Sequence, residues 1–589
     1  MATQTPQYSM QQDMVRRRIP LLTAGILVVC LGLLLRVIWL QFPQDQRVAR
    51  EFAAQREASS GRTQRVETER GVIYDRNGNR FAVNTVQYRV GVNPPLVADA
   101  RGLANQLATI LNRDPLQLYN LLISDTQWQF IGVVDPDTWR QISDIDSFAI
   151  DAERVYRRFY PQGSLASHVL GFVAGTGADA SGYNGVEGQR NDLLSGEIED
   201  QEVSTIPFGL PEDFAALGTG ADLVLTIDRD IQFLIETELQ LAIDSTGSIG
   251  GTIIVMNPRN GDILGMANYP TFDPNFYDQV QDERVYNNPA VSSVFEPGSI
   301  FKVLTVAAAL ELGAVTPDWS YYDNGRMDDI GSVTIQNWDR RAWGTTDLQT
   351  VLVSSLNVGT ATISREISRQ FGVATFYQML ERFGIGSPTL VDLQGEVSGN
   401  LRIPGDELWS ESDLLTNSFG QGVSVTPLQM LTAVNAIAND GLMMQPRIIF
   451  QRIDGEEVTN ASTSVLGSPI SAQTANIVTD MMVATVRDGF DASAQLPGYT
   501  VAGKTGTAEI ADVLGYRSDA WIMSFIGFLP ADDPQLSILI KLDEPQGVQW
   551  ASQVAAPVFR RLAERLVILM EIPPDDVRMS INQQASVGQ

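Results

Sequence analysis

Cysteine is nearly missing from this chain. Cys30 is the only one in 589 residues, so no intrachain disulfide and no cysteine-built metal site can form. An exported domain of this composition must be held by its core alone, and the length is sufficient for that. Histidine is equally scarce, His168 being the only one. A serine–histidine–acid mechanism would therefore have a single, distant candidate base. Positive charge is short as well. A net charge of −29 argues against a nucleic-acid partner, since phosphate needs a basic face; its plain effect is solubility.

The shortage of lysine is more telling. Of 41 basic residues, only Lys302, Lys504 and Lys541 are lysines. Arginine keeps its proton in proteins, whereas lysine can lose it in dry surroundings. Compositional drift toward arginine explains the shortage. It does not explain where the survivors stand.

Long apolar runs are also rare. One covers residues 19–40, broken only by Thr23 and Arg36. As a helix it reaches about 33 Å, enough to cross a bilayer core. Arg36 can snorkel beside Trp39 or contact another membrane protein. No small-residue cleavage pattern follows, so an uncleaved anchor is expected rather than a signal peptide. Arg16, Arg17 and Arg18 favour an inside N terminus, although Arg47, Arg50, Arg56 and Arg62 follow the span. The expected layout is a cytoplasmic tail (1–18), a transmembrane helix (19–42), an elongated mixed pedestal (43–220), a catalytic domain (221–570) and a polar, frayed tail (571–589).

Residues 43–64 read as polar and helix-capable. Gly71-Val-Ile-Tyr-Asp-Arg and Asn79-Arg-Phe-Ala-Val-Asn flank Asn77-Gly78, which reads as a hairpin. Residues 96–145 alternate helical patterns with polar turns, and 155–220 show no strong periodicity. A long mixed α/β region begins at Leu223. No internal repeat is visible.

Three elements carry chemistry. Phe295-Glu-Pro-Gly-Ser299-Ile-Phe-Lys302 holds a Ser-x-x-Lys pair before a strongly helical run. That spacing predicts Ser299 at a helix start with Lys302 one turn on, on the same face. A serine needs a base to become a nucleophile, and a lysine in a dry site can be that base. N–H groups at the helix start can face a developing oxyanion. Taken alone, the pair reads equally as a capping serine and a surface lysine. Ser355-Leu-Asn357 adds a hydroxyl able to relay a proton and an amide able to orient a peptide. Tyr499-Thr-Val-Ala-Gly-Lys504-Thr505-Gly506-Thr507 reads as a strand ending in a cation and two hydroxyls, suited to a substrate carboxylate; Gly506 allows close backbone approach.

The order Ser-x-x-Lys, Ser-x-Asn, Lys-Thr-Gly, with two of the three lysines inside it, resembles that of penicillin-binding proteins and related β-lactamases. The likeness covers most of 65–570. Arg70-Gly71, Asp75-Arg-Asn-Gly78, Arg158-Phe-Tyr-Pro161, Gly185-Val-Glu187, Phe419-Gly-Gln-Gly422 and Asp543-Glu-Pro545 look like class B members. Read physically, Arg70, Asp75, Arg158 and His168 are structural, fixing the pedestal against the catalytic domain.

The resemblance implies an α/β (α+β) penicillin-recognising serine transferase domain, with an antiparallel sheet flanked by helices. It implies a peptidoglycan D,D-transpeptidase, without cofactor or metal, acting on stem peptides that end in D-Ala-D-Ala and inhibited by β-lactams. The roles it implies are Ser299 as nucleophile, Lys302 as base, Ser355 as proton donor to the leaving amine and Asn357 as a guide for the peptide amide. Lys504, Thr505, Gly506 and Thr507 would shape the carboxylate pocket, and the Ser299 and Thr507 N–H groups the oxyanion hole. The expected location is the bacterial inner membrane, single-pass, with the catalytic domain outside the cytoplasm. No glycosyltransferase signature is present, so a polytopic membrane glycosyltransferase is the implied partner. The same catalytic motifs leave open a D,D-carboxypeptidase, a β-lactamase and a β-lactam-binding sensor or scaffold without turnover.

Overall fold

The computed structural model describes residues 28–34, 36, 62–66 and 69–587, apart from 146, 176–179, 196–198, 204–218, 331–332 and 513–514. Most of the expected span at 19–42 and the stretch 43–61 lie outside the described residues. Residues 28–34 and 36 are helical; among the described residues no helix is long and apolar enough to cross a membrane. Strands Arg62–Val66 and Glu199–Val203 pair antiparallel in a small unit distinct from the large one formed by most of the chain.

The large unit is built on two sheets. The first has five antiparallel strands in the order Ile263–Tyr269, Gly250–Met256, Leu536–Asp543, Gly515–Leu529, Ala502–Asp512. Every residue of Gly250–Met256 is buried, so both faces of the sheet are covered. Side chains alternate across a strand. Ile253 and Val255 accordingly join one core cluster with helices Arg229–Thr246 and Ala551–Leu569. Ile254 and Met256 join another, with helices Lys302–Glu311 and Pro427–Ala438. Local chemistry agrees with these elements. Asp228 caps Arg229–Thr246 by accepting the Asp230 and Ile231 N–H groups, and Gly247 ends it at φ 63°. Thr426 and Gln429 form a capping box ahead of Pro427.

The second sheet joins the two expected domains. It runs Glu457–Asn460, Ile449–Asp454, Asp222–Leu225, Ile73–Tyr74, Arg80–Val92, Gln129–Val134, with Ile150–Phe159 also paired to Arg80–Val92. Ile73 pairs parallel with Leu223, so strands from both sides of residue 220 share one hydrogen-bonded ladder. The Asn77-Gly78 hairpin is present, with Ile73 opposite Ala82 and Gly78 at φ 84°. A strand, Gln129–Val134, interrupts the helices Ala100–Leu111, Pro115–Leu122 and Pro136–Ser143 in the stretch expected to be helical.

Arg70 and Arg158 both hold the buried Glu187, each at 2.6 Å, so they knit the pedestal internally. Asp75 and His168 reach across. Asp75 accepts the Arg229 N–H at 3.2 Å, and His168 Nε2 bonds the Val285 carbonyl at 2.9 Å. The tail corrects the expectation of fraying. Residues Asp575–Val587 form a helix. Asp575 accepts the Thr500 N–H at 2.6 Å, and Arg578, nearly buried, bonds Asp532 and Asp575. The long-range Arg578–Asp532 ion pair and Thr500–Asp575 hydrogen bond, the local Arg578–Asp575 pair, and acids in the first turn, hold a segment too polar to show an apolar stripe.

Candidate active site

Ser299 lies in a 3₁₀ turn, Gly298–Phe301, that runs directly into helix Lys302–Glu311. Gly298 has φ 57°, a conformation that suits glycine. A Cβ on it would sit 3.1 Å from Ala508 Cβ and 3.3 Å from the Thr507 carbonyl oxygen. Its N–H donates to the Gly420 carbonyl at 3.1 Å. The turn is thus held between the Lys504 strand and the Phe419–Gly422 loop. Glu296, three residues earlier, accepts from the Gly422 N–H at 3.1 Å and the Tyr516 hydroxyl at 3.0 Å. Its burial pushes the carboxyl up.

Lys302 is completely buried. Its Nζ lies 2.6 Å from the Ser355 carbonyl oxygen, 2.7 Å from Asn357 Oδ1 and 3.2 Å from Ser355 Oγ. Burial, and then the charge of Lys504, push its amine well below the usual lysine range. A neutral amine has two N–H bonds and one lone pair. The two oxygens that can only accept take the N–H bonds, which leaves the lone pair for a hydroxyl proton.

Ser355 occupies the left-handed region at φ 54°, between helices Leu348–Val353 and Asn357–Phe371. That conformation is uncommon for serine, and it turns the Ser355 carbonyl onto Lys302. Asn357 is oriented at both ends: Oδ1 accepts from Lys302 and Nδ2 donates to the Gln336 carbonyl at 3.0 Å. Each end keeps one further hydrogen-bonding position.

The Lys504 strand does not end at Thr507. It runs Ala502–Asp512 as the sheet edge, paired among the described residues only with Gly515–Leu529. N–H groups alternate along an antiparallel edge between partner and open side. The Thr505 N–H points outward, donating to Asp491 at 3.2 Å, so the Thr507 N–H two residues on faces outward too. A Cβ at Gly506 would meet Ser524 Oγ at 2.6 Å and the Pro297 carbonyl oxygen at 2.8 Å, hence the need for glycine there. Lys504 Nζ lies 3.6 Å from the buried Asp491 carboxylate.

Ser299, Ser355, Asn357, Lys504, Thr505 and Thr507 line one cavity of about 220 Å³, and Lys302 reaches its floor through Ser355 and Asn357. Six of the eight expected residues thus line the cavity, Lys302 bonds two of them, and Gly506 stands between Thr505 and Thr507 in the strand. The sequence reading missed the aromatic wall. Trp338 stands edge-on to Phe490 (4.9 Å) and Trp550 (5.2 Å), and all three line the cavity with Gln421. It also missed Asp491, whose place no spacing rule signals. Gln421 was within reach, lying inside the quoted Phe419-Gly-Gln-Gly422.

A buried amine with its pKa pushed down by burial, one turn from a serine in a cleft walled by a cationic strand, is the arrangement of a serine acyltransferase. Comparison with known proteins narrows the class. Residues 251–564 match the penicillin-binding protein transpeptidase domain and 65–209 the penicillin-binding protein dimerisation domain. Stage V sporulation protein D of Bacillus subtilis is 36% identical, over 84% of this chain and 77% of that one. Peptidoglycan D,D-transpeptidase FtsI of Escherichia coli is 29% identical, over 95% and 92%. The crystal structure of penicillin-binding protein 3 from Mycobacterium tuberculosis complexed with aztreonam superposes with a TM-score of 0.66 at 29% identity, covering 87% of this chain and 98% of that one. This chain belongs to the class B penicillin-binding proteins, and it is a peptidoglycan D,D-transpeptidase of cell-wall synthesis.

Proposed function

We propose that Ser299 attacks the carbonyl of the penultimate D-alanine of a stem peptide while Lys302 takes its proton. Terminal D-alanine leaves as an amine, protonated through Ser355. Asn357 guides the peptide amide through its free N–H. Lys504 and Thr507 receive the terminal carboxylate, in a pocket that Thr505 and Gly506 help to shape. The outward Thr507 N–H and the Ser299 N–H at the helix start hold the oxyanion. An amine from a neighbouring stem peptide then attacks the ester and frees Ser299. The observation that carries this reading is Lys302, fully buried, bonded only through oxygens and depressed well below the ordinary lysine range.

β-Lactams acylate the same serine in this reading, supported by the bound aztreonam and ampicillin of the mycobacterial relative. The domain layout is a membrane anchor at 19–42, a pedestal at 43–220 and a catalytic domain at 221–570. The catalytic domain stands outside the cytoplasm of a bacterial cell, next to a polytopic glycosyltransferase that supplies glycan strands.

The test is covalent labelling of the full chain by a fluorescent penicillin, native against Ser299→Ala. Labelling lost only in the variant is the expected result. Equal labelling of both would mean that another serine is the nucleophile. Incubating the acyl-enzyme with an amine acceptor should yield a cross-linked product rather than hydrolysis alone.

A further inference from the structure

Asp491 sits in a 3₁₀ turn, Phe490–Ala494, ahead of the Lys504 strand and is 1% exposed. Its carboxylate accepts twice from Thr505: from the N–H at 3.2 Å and from the hydroxyl at 2.5 Å. An ionised carboxylate can only accept, so the Thr505 hydroxyl proton is committed to Asp491. Thr507, two residues on and on the same face of the strand, is wired the other way. Its Oγ1 accepts the Ala551 N–H at 3.3 Å, and its own proton is uncommitted among the described residues. Both threonines line the cavity, so the two hydroxyls present opposite polarity to whatever binds there.

We infer that Asp491 is a positioning residue that sorts these threonines: Thr505 meets the substrate as a hydrogen-bond acceptor, and Thr507 alone donates a hydroxyl proton to the terminal carboxylate. A carboxylate brought against Thr505 would meet lone pairs, whereas an amide N–H would meet an acceptor. Asp491 also faces Lys504 Nζ at 3.6 Å, which weakens the cationic pull on the carboxylate and raises the share that falls to Thr507. This inference deepens the assignment of the Lys504–Thr507 strand to the substrate carboxylate and rests on it.

The experiment compares acylation of the detergent-solubilised full chain by a penicillin free acid and by its methyl ester. The ratio of the two second-order rate constants measures carboxylate preference, and a purely structural role of any residue would slow both probes alike. Thr507→Val should lower the ratio at least tenfold. Thr505→Val should slow both probes but move the ratio less than threefold. Adding Asp491→Ala to Thr507→Val frees the Thr505 hydroxyl and should restore the ratio at least threefold. Adding Asp491→Asn, which keeps an acceptor for that hydroxyl, should not. A ratio that falls equally in the two valine variants would overturn the sorting by Asp491. A ratio unmoved in both would instead overturn the carboxylate assignment of the strand. Should the variant carrying Asp491→Ala fail to fold, the two valine variants still decide, since equal falls in the ratio overturn the sorting.

Discussion

In the pedestal, two guanidiniums, Arg70 and Arg158, share one buried carboxylate, Glu187, at 2.6 Å each. Around Ser299 stand two amines, Lys302 and Lys504, and among the described residues only Lys504 has an acid within ion-pair distance, Asp491 at 3.6 Å. The inventory is the same, two cationic side chains and one acid out of water, yet the outcomes differ. Burial pushes the Glu187 carboxyl up, but Arg158 and then Arg70 outweigh it, and it is held below the usual carboxylate range. All three groups stay charged and the cluster is rigid. Lys302 has carbonyl, amide and hydroxyl oxygens around it and, among the described residues, no carboxylate, and it can give up its proton where arginine cannot. The difference between a scaffold and a base is therefore set by the choice of cation and by where the single acid stands. One of the three lysines follows this logic: Lys302 stands where a proton must move, whereas Lys504 and Lys541 each face an acid, Asp491 and Asp543.

Converting one cluster into the other should give the largest effect. Lys302→Arg places a permanent charge at the base position. Penicillin acylation should fall by about 10⁴-fold, the upper end of what a positioned base contributes, while the melting temperature changes far less. Near-normal labelling of this variant would remove Lys302 from the base role. The same depressed pKa gives the native enzyme an acid limb: acylation should decline as pH drops through the Lys302 pKa, because the protonated amine cannot accept. The converse change, Glu187→Gln, leaves two buried guanidiniums without an acid. Breaking a buried pair costs about 3–5 kcal/mol, so the melting temperature should drop steeply while Ser299, at a separate site, still labels in the cold. A melting temperature unchanged by Glu187→Gln would show that the cluster is solvated and not structural.

How much of this could be read in advance varied with the range of the interaction. The Asn77-Gly78 hairpin and the Ser299–Lys302 turn depend on residues a few positions apart, and the structure has both. Six of the eight site residues also line one cavity, because the order of three short motifs is itself a long-range signal. What escaped depends on partners far apart in sequence. Asp491 matters through Thr505 and Lys504, and nothing in its neighbours marks it. Trp338, Phe490 and Trp550 come from three separate segments. The tail reads as polar because its helix is held by ion pairs of Arg578 and Asp575 rather than by an apolar stripe. The strand after Thr507 continues because Ile510 and Ala511 pair with Arg517 and Tyr516 across the hairpin, which no alternation in that stretch reveals.

His168 sharpens the comparison with a smaller effect. It is another buried base, and among the described residues its imidazole has no acid beside it, only the Val285 carbonyl at 2.9 Å and the Phe272 ring edge-on at 5.5 Å. Burial pushes its pKa down from 6.5 to about 4, the carbonyl bond offsetting this only in part. The folded imidazole therefore stays neutral where the unfolded one takes up a proton. Above pH 6.5 neither state is protonated and the His168 contribution is intact. Between 6.5 and 4 the unfolded chain binds the extra proton, so stability falls as pH falls, by about 3 kcal/mol in all at about 1.4 kcal/mol per unit. His168→Phe should cost about 1 kcal/mol at pH 7.5, where Val285 loses its donor, but should remove this part of the acid limb. Melting temperatures of the two proteins should therefore converge, and then cross, as the pH is lowered from 7.5 to 4. Parallel curves over that range would mean that the imidazole titrates alike in the folded and the unfolded chain, and that burial does not hold His168 neutral.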